Sequence, residues 1–168
     1  AQMQGMEISS IPYEGKNFNF PLQRTYQALL ENKPQLFLIC NPNNPTGTQL
    51  EAEIILDLAN KSPNTLIVVD ELYEAFSGNS ILPIIDFNTT PNLVVLRSLS
   101  KTAGLAGLRI GFGIGRADVI DLINRVTGPY DINSFAVTAA FAALDDQDYI
   151  DSYVAEVLTA RTWINKKL

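Results

Sequence analysis

The stretch Leu36–Asp70, LFLICNPNNPTGTQLEAEIILDLANKSPNTLIVVD, decides the fold. It opens and closes with short runs of aliphatic, aromatic and β-branched residues, Leu36–Asn41 and Leu66–Asp70, which are typical of strands buried on both faces of a sheet. Between the two runs, apolar residues recur at the spacing of a helix: Leu50, Ile54, Ile55, Leu58 and Ala59. The stretch therefore predicts a strand, a helix and a second strand parallel to the first.

Further elements extend this unit in both directions. Leu93–Arg97 is a third apolar run, and Glu7–Ile11 predicts a weaker strand near the start. Leu108–Ile114 is separated from the third run by only ten residues, too few for a parallel crossover, so we expect it to pair antiparallel. Helices are expected from about Gln147 onward and over three other segments: Leu22–Glu31, Ala117–Val126 and Ser134–Leu144, the last capped by Asn133. The pattern predicts the α/β class, with a mostly parallel sheet and one antiparallel strand.

The composition limits the chemistry. The 168 residues include no histidine and a single cysteine, Cys40, which excludes Ser–His and Cys–His catalysis, an internal disulfide and nearly every Cys/His zinc site. We predict no metal site, and proton transfer must use lysine, tyrosine or a carboxylate. A net charge of −6 argues against nucleic acid as a partner. The longest apolar runs are shorter than the ~20 residues that span a bilayer, so we expect a soluble, cytoplasmic protein without a membrane partner.

Polar side chains follow each of the three strands expected in the middle of the sheet. Asn41–Gly47 (NPNNPTG) follows the first strand, Asp70–Tyr73 (DELY) the second, and Ser98–Lys101 (SLSK) the third, with Arg109 eight residues further on. Ligands of open α/β sheets bind at the carboxyl ends of the strands. Each segment alone has a structural explanation, as a turn, a helix cap or a solvated lysine. Their combination points to a site.

Three glycines, Gly111, Gly113 and Gly115, form a G-x-G-x-G pattern. The dinucleotide-binding fingerprint requires a helix directly after its first turn, and no helix is expected there. We therefore expect these glycines to permit close backbone packing.

Together the motifs closely resemble the large domain of fold-type I pyridoxal-phosphate enzymes, specifically the class I/II aminotransferases. The similarity extends from about Glu7 to Asn133 in the family's order, and Ser98–Arg109, SLSKTAGLAGLR, is its most specific stretch. Residues 41–48, 69–78 and 125–133 are most similar to histidinol-phosphate aminotransferases. The resemblance implies a three-layer αβα fold and pyridoxal 5′-phosphate as the cofactor.

The resemblance also implies a role for each candidate residue. Lys101 would carry the cofactor as a Schiff base and would move the proton between Cα and C4′. Asp70 would keep the pyridine nitrogen protonated. Asn44 and Tyr73 would hydrogen-bond the 3′ oxygen of the cofactor. Three further side chains would hold its phosphate: Ser98, Ser100 and Arg109.

The implied reaction transfers an amino group between an amino-acid or amino-alcohol phosphate and 2-oxoglutarate, with histidinol phosphate favoured, as in histidine biosynthesis. A decarboxylase or lyase on the same scaffold and the pyridoxal-phosphate-sensing domain of a transcription regulator are the alternatives. Family chains extend beyond both ends of residues 1–168, so we expect one partial large domain that lacks the N-terminal segment and the small domain. We expect this piece to be inactive by itself and its full-length parent to be a homodimer.

Overall fold

The computed structural model describes residues 2–128 and 130–168. Within them, four strands form one sheet in the order β1-β2-β3-β4. The first three strands pair parallel, and β4 runs antiparallel to β3. The strands are β1 (Leu36–Cys40), β2 (Leu66–Asp70), β3 (Leu93–Ser98) and β4 (Gly111–Gly115). The predicted α/β class, with a mostly parallel sheet and one antiparallel strand, is confirmed.

Five α-helices accompany the strands in these ranges: α1 (Leu22–Glu31), α2 (Ala52–Lys61), α3 (Ala117–Asn124), α4 (Ser134–Asp145) and α5 (Gln147–Asn165). Short 3₁₀ helices cover Gln2–Gln4, Glu74–Phe76 and Ala106–Leu108. Asn133 caps α4 as predicted, because its side-chain oxygen accepts from the backbone N–H of Ala136 at 2.8 Å. In the part of the chain that the structure describes, no helix combines the length and the apolar character needed to cross a membrane.

Odd-numbered residues of β1, β2 and β3 form one side of the sheet, here called the covered face. Phe37 and Arg97 are half-buried, and the other five are at most 3% exposed: Ile39, Ile67, Val69, Leu93 and Val95. They pack against α1 through Leu29 and against α2 through Ile55 and Leu58. Burying one such side chain fully stabilises the fold by about 1.5–3 kcal/mol, so the main core lies on this face.

Even-numbered residues of the same strands form the other side, here called the cleft face. It is less completely covered, since Leu38 is 55% and Leu96 36% exposed. Helix α3 covers the β4 side of this face, where Ile120 Cδ1 lies 3.5 Å from the position that a Cβ on Gly115 would occupy. Asp70 and Ser98 end their strands on the cleft face.

Two of the β4 glycines permit close approach of the backbones, as the sequence predicts. A Cβ on Gly111 would lie 3.1 Å from the carbonyl oxygen of Arg97. A Cβ on Gly115 would lie 3.2 Å from Val94 Cγ2 and 3.3 Å from the carbonyl oxygen of Leu93. Larger residues at these two positions would push β4 away from β3.

Two strand predictions are wrong. Glu7–Ile11 pairs with no other strand in the described residues, and β4 begins at Gly111 rather than Leu108. Ala106–Leu108 is a 3₁₀ turn, and Arg109 follows it in the left-handed conformation with φ 57°. The backbone therefore turns before it enters the sheet. Arg109 therefore precedes β4. The predicted strand Leu108–Ile114 had wrongly placed it inside an apolar strand.

Candidate active site

A cleft of about 620 Å³ opens on the cleft face, at the carboxyl ends of β2 and β3. Five of the seven side chains predicted from the sequence line it: Asp70, Ser98, Ser100, Lys101 and Arg109. The cleft thus combines a carboxylate, two hydroxyls, an amine and a guanidinium. This set can bind an anion and a cationic ring nitrogen at the same time, and its amine can react with a carbonyl carbon.

The other two predicted residues, Asn44 and Tyr73, line a second cavity of about 260 Å³. Asn44 Nδ2 donates a hydrogen bond to Tyr73 Oη at 3.2 Å. The Tyr73 ring also lies beside the amine of the first cleft, with Lys101 Nζ 5.8 Å from the ring centroid, within cation–π range. Tyr73 therefore lines the second cavity and lies next to the amine of the first cleft.

The loop that carries Asn44 is fixed by a buried amide at its start. The Asn41 side chain donates to the carbonyl oxygen of Leu50 at 3.0 Å and accepts from the Leu50 N–H at 2.8 Å. Asn41 is only 2% exposed, so both bonds are shielded from competing water. The polar Asn-Pro segment after β1 is consequently a rigid turn that presents Asn44 to Tyr73.

Asp70 is the last residue of β2, and its Oδ1 accepts from the backbone N–H of Leu72 at 3.0 Å. On the neighbouring strand its register partner is Cys40. Burial, followed by the charge of Asp70, raises the pKa of the Cys40 thiol. Cys40 therefore remains a protonated thiol beside the carboxylate near neutral pH.

The loop after β3 places its two serine hydroxyls together, with Ser98 Oγ and Ser100 Oγ 2.7 Å apart. Ser98 Oγ also accepts from the Ser100 N–H and donates to the carbonyl oxygen of Ile110, both at 3.1 Å. Leu99, 6% exposed, anchors the loop in a second apolar cluster that includes α4 residues. The exposed Lys101 follows on this anchored loop.

Arg109 reaches the cleft from the turn before β4. Its Nη1 donates to the carbonyl oxygen of Ala106 at 3.0 Å. This hydrogen bond orients the guanidinium and uses one of its N–H groups. A guanidinium has five N–H donors, so donors remain for an anion in the cleft.

Sequence reasoning missed a charged cluster beneath the cleft, in which Arg97 binds Glu71 and Glu74. Burial raises the pKa of Glu74, although the positive charge of Arg97 opposes this shift. The only available signals were a cation at the end of an apolar strand and an acid directly after Asp70.

Both the sequence and the fold are similar to those of known proteins. A family model for aminotransferase class I and II matches residues 1–168. Histidinol-phosphate aminotransferase 1 of Mannheimia succiniciproducens is 42% identical over 139 residues, which cover 81% of this chain and 38% of that protein. The chain spans between 36% and 42% of the length of the first curated relatives that it matches.

Two solved structures extend the comparison. Histidinol-phosphate aminotransferase from Sinorhizobium meliloti, in complex with pyridoxal-5′-phosphate, has a TM-score of 0.84 and 28% identity, over 95% of this chain and 44% of that chain. L-threonine-O-3-phosphate decarboxylase from Porphyromonas gingivalis has a TM-score of 0.67 and 28% identity, over 79% of this chain and 43% of that chain. The same scaffold thus serves enzymes of two reaction types.

Proposed function

Because the chain belongs to the class I and II aminotransferase family, we propose that it transfers an amino group with pyridoxal 5′-phosphate as its cofactor. The family resemblance predicted from the motifs is confirmed by this membership. The observation that carries the proposal is the single cleft in which five of the predicted side chains meet. Histidinol phosphate is the proposed amino donor, supported by the names of the curated relatives, and 2-oxoglutarate is the proposed acceptor.

The donor set of the cleft fits this cofactor. A phosphate ester needs cationic and hydroxyl donors, an aldehyde carbon needs an amine, and a protonated ring nitrogen needs a carboxylate. The predicted cofactor also agrees with the S. meliloti relative, whose structure contains it. When bound, pyridoxal phosphate supplies the electron sink for the negative charge that develops at the substrate Cα.

Lys101 is the proposed attachment point of the cofactor. Its amine lies beside the Tyr73 ring and lines the cleft. With the cofactor bound and the amino substrate attached to it, the free Lys101 amine would be the base that moves the proton between Cα and C4′. The chain contains no histidine, so a lysine is the best-placed base in this cleft.

Asp70 and Tyr73 are the proposed contacts of the cofactor ring. Asp70 Oδ1 already accepts from the Leu72 N–H, so Oδ2 is available to accept from the ring nitrogen and keep it protonated. The Tyr73 oxygen accepts from Asn44, and its own proton is then directed to the 3′ oxygen. Each group thereby supports the charge distribution that draws electrons from Cα.

Ser98, Ser100 and Arg109 are the proposed phosphate contacts. The Ser100 hydroxyl, 2.7 Å from Ser98 Oγ, would rotate its proton toward a phosphate oxygen, and Ser98 would likewise turn its proton away from the carbonyl oxygen of Ile110. Arg109 can add a paired, charge-assisted contact through the planar fork of its guanidinium. These three groups would hold the phosphate and so fix the cofactor in the cleft that Lys101 also lines.

A decarboxylase is the second candidate, supported by the similarity to the P. gingivalis enzyme. Negative charge at Cα can result from loss of a proton or of carbon dioxide, and the same lysine, carboxylate and phenol assist both reactions. Groups that orient the substrate bonds decide between the two reactions.

We further propose that residues 1–168 are the central part of a cofactor-binding large domain in a longer, homodimeric, cytoplasmic enzyme. The spanned fraction of the relatives, 36% to 42% in the first three, supports the partial domain. Incubation of the 168-residue chain with both substrates is expected to give no amino transfer, because the family resemblance implies that the N-terminal segment and the small domain complete the site.

The proposed reaction is tested with the protein at its natural length, purified with pyridoxal phosphate and supplied with histidinol phosphate and 2-oxoglutarate. We expect glutamate to form in proportion to the histidinol phosphate consumed. Release of carbon dioxide from threonine phosphate, without glutamate, would favour the decarboxylase. Lys101→Arg is the matched variant, since it keeps the charge but cannot attach the cofactor, and it should abolish either activity.

A further inference from the structure

A charged cluster lies beside the strand ends that form the cleft. Its centre is Arg97, whose odd-numbered position in β3 puts its side chain on the covered face, although Arg97 is also one of the residues that line the cleft. Arg97 Nε donates to Glu71 Oε2 at 3.0 Å, and Arg97 Nη2 donates to Ser80 Oγ at 2.8 Å. Arg97 Nη1 binds Glu74 Oε2. One guanidinium therefore joins the end of β2, the 3₁₀ helix Glu74–Phe76 and the loop before β3 to its own strand.

The cluster is largely buried, and both carboxylate oxygens of Glu71 accept hydrogen bonds in it. The Glu71 side chain is 0% exposed and that of Arg97 25%. Glu71 Oε1 accepts from the Ile81 N–H at 2.8 Å, and Glu71 Oε2 accepts from Ser80 Oγ at 2.9 Å as well as from Arg97. A buried ion pair often stabilises a protein no more than apolar residues of the same shape. Stability alone thus gives a weak reason for this arrangement.

Each charged partner is next in sequence to a residue proposed to contact the cofactor: Glu71 follows Asp70, Glu74 follows Tyr73, and Arg97 precedes Ser98. Consecutive strand residues point to opposite faces, so a bond that fixes Arg97 on one face also fixes Ser98 on the other. We propose that Arg97 is a positioning residue that aligns Asp70, Tyr73 and Ser98 for pyridoxal phosphate. This inference rests on the proposed function.

The contact with Glu74 matters most for Tyr73. Glu71 is already tied to β3 by its backbone N–H, which donates to the carbonyl oxygen of Leu96 at 3.0 Å. Tyr73 lies outside the strands, and the ion pair of Glu74 links its segment to β3. A lysine at position 97 has one nitrogen and cannot replace a fork that binds two carboxylates and a hydroxyl.

The test compares Arg97→Lys with Arg116→Lys in the protein at its natural length. Arg116 pairs with Asp118 through a bond of 2.6 Å on the exposed surface, so the same substitution there is the matched control. Three quantities are measured: the Kd for pyridoxal phosphate by absorbance titration, the pH midpoint of the bound cofactor's absorbance change, and Tm. We expect Arg97→Lys to raise Kd about tenfold or more, or about 1.4 kcal/mol, and to shift the midpoint. Arg116→Lys should keep both values.

The spectroscopic midpoint separates positioning from a merely structural role. A lower Tm for Arg97→Lys with an unchanged Kd and an unchanged midpoint would overturn the proposal. If Arg97→Lys yields no folded protein, Glu74→Gln decides instead, since its side chain is 19% exposed and glutamine keeps its size. A shifted midpoint in Glu74→Gln supports the proposal, and an unchanged one overturns it.

The design also separates this inference from the proposed function. A wild-type protein that binds no pyridoxal phosphate would overturn the proposed function and the inference together. Normal wild-type binding with variants equal to the wild type would overturn the positioning role of Arg97 alone.

Discussion

The two faces of the sheet are built from alternate residues of the same strands, yet they differ in how completely their side chains are buried. On the covered face, Ile67 and Val69 of β2 are 0% exposed. On the cleft face, Asp70 ends the same strand at a cleft of about 620 Å³, and Leu38 of β1 stays 55% exposed. Apolar burial, the main source of stability, is therefore concentrated on one face and the reactive groups on the other. Truncation of an apolar side chain on the covered face should therefore mainly lower stability, and substitution of a polar residue in the cleft should mainly lower activity.

The largest effect is expected for Asp70→Asn on the cleft face. The amide oxygen can still accept from the Leu72 N–H, so the fold should persist. The loss of charge removes the partner that keeps the ring nitrogen protonated, and kcat should fall about a thousandfold or more. Steady-state kinetics of the natural-length protein with bound cofactor measures this fall.

Asp86→Asn is the matched control for Asp70→Asn. Asp86 Oδ1 accepts from the Asn88 N–H at 2.9 Å, so the local hydrogen bond is of the same kind, but Asp86 is not among the residues that line the cleft. Its kcat should equal that of the wild type. Near-normal turnover of Asp70→Asn would contradict the assigned division between the faces.

A smaller effect, this time on stability, is expected for Leu58→Ala beneath the covered face. Leu58 is 0% exposed in the core formed with α2, so its truncation leaves a cavity and should lower the free energy of unfolding by about 2–5 kcal/mol. Leu38→Ala removes the same atoms from the cleft face and should cost about 1 kcal/mol or less. Urea unfolding of the 168-residue chain compares them, and equal losses would show that the two faces are equally buried.

The smallest effect concerns the two helices that cover the sheet. Tyr26 of α1 donates to Asp57 of α2, and this hydrogen bond is the main cause that raises the pKa of Tyr26 from 10.0 to about 12. The folded state therefore holds the phenolic proton more tightly than the unfolded state. The resulting stability is fully present below pH 10 and is lost as the pH rises through about 12.

Tyr26→Phe removes the titrating group, so the pH dependence of its stability is compared with that of the wild type. The urea midpoint of the wild type should fall more steeply with pH between 10 and 12 than that of Tyr26→Phe. Parallel pH profiles of the two proteins would show that the bond between α1 and α2 contributes nothing to stability at alkaline pH.

The sequence predicted the central part of the fold because its signals are local. The runs that form β1, β2 and β3 are continuous and apolar, and their observed bounds lie within one residue of the predicted ones. The start of β4 was missed because Arg109 adopts a left-handed φ. An arginine gives no sequence signal for this conformation, which usually favours glycine or asparagine. Glu7–Ile11 has a suitable composition but no neighbouring strand to pair with in the described residues.

For the candidate site, motif spacing located the side chains but not their support. Asp70, Ser98 and Lys101 were found because each lies at a strand end or shortly after it. The cluster of Arg97, Glu71 and Glu74 was missed because its members become neighbours only after β2 and β3 pair. Pairwise contacts across strands depend on register, and a single sequence gives register only indirectly.

The most direct test of the central claim asks which amine binds the cofactor. The natural-length protein is loaded with pyridoxal phosphate, reduced with borohydride to fix the bond, digested and mapped by mass spectrometry. One pyridoxyl label is expected, on Lys101, in the peptide that begins at the end of β3. A label on Lys61 or Lys33 instead, or no label after demonstrated cofactor binding, would contradict it.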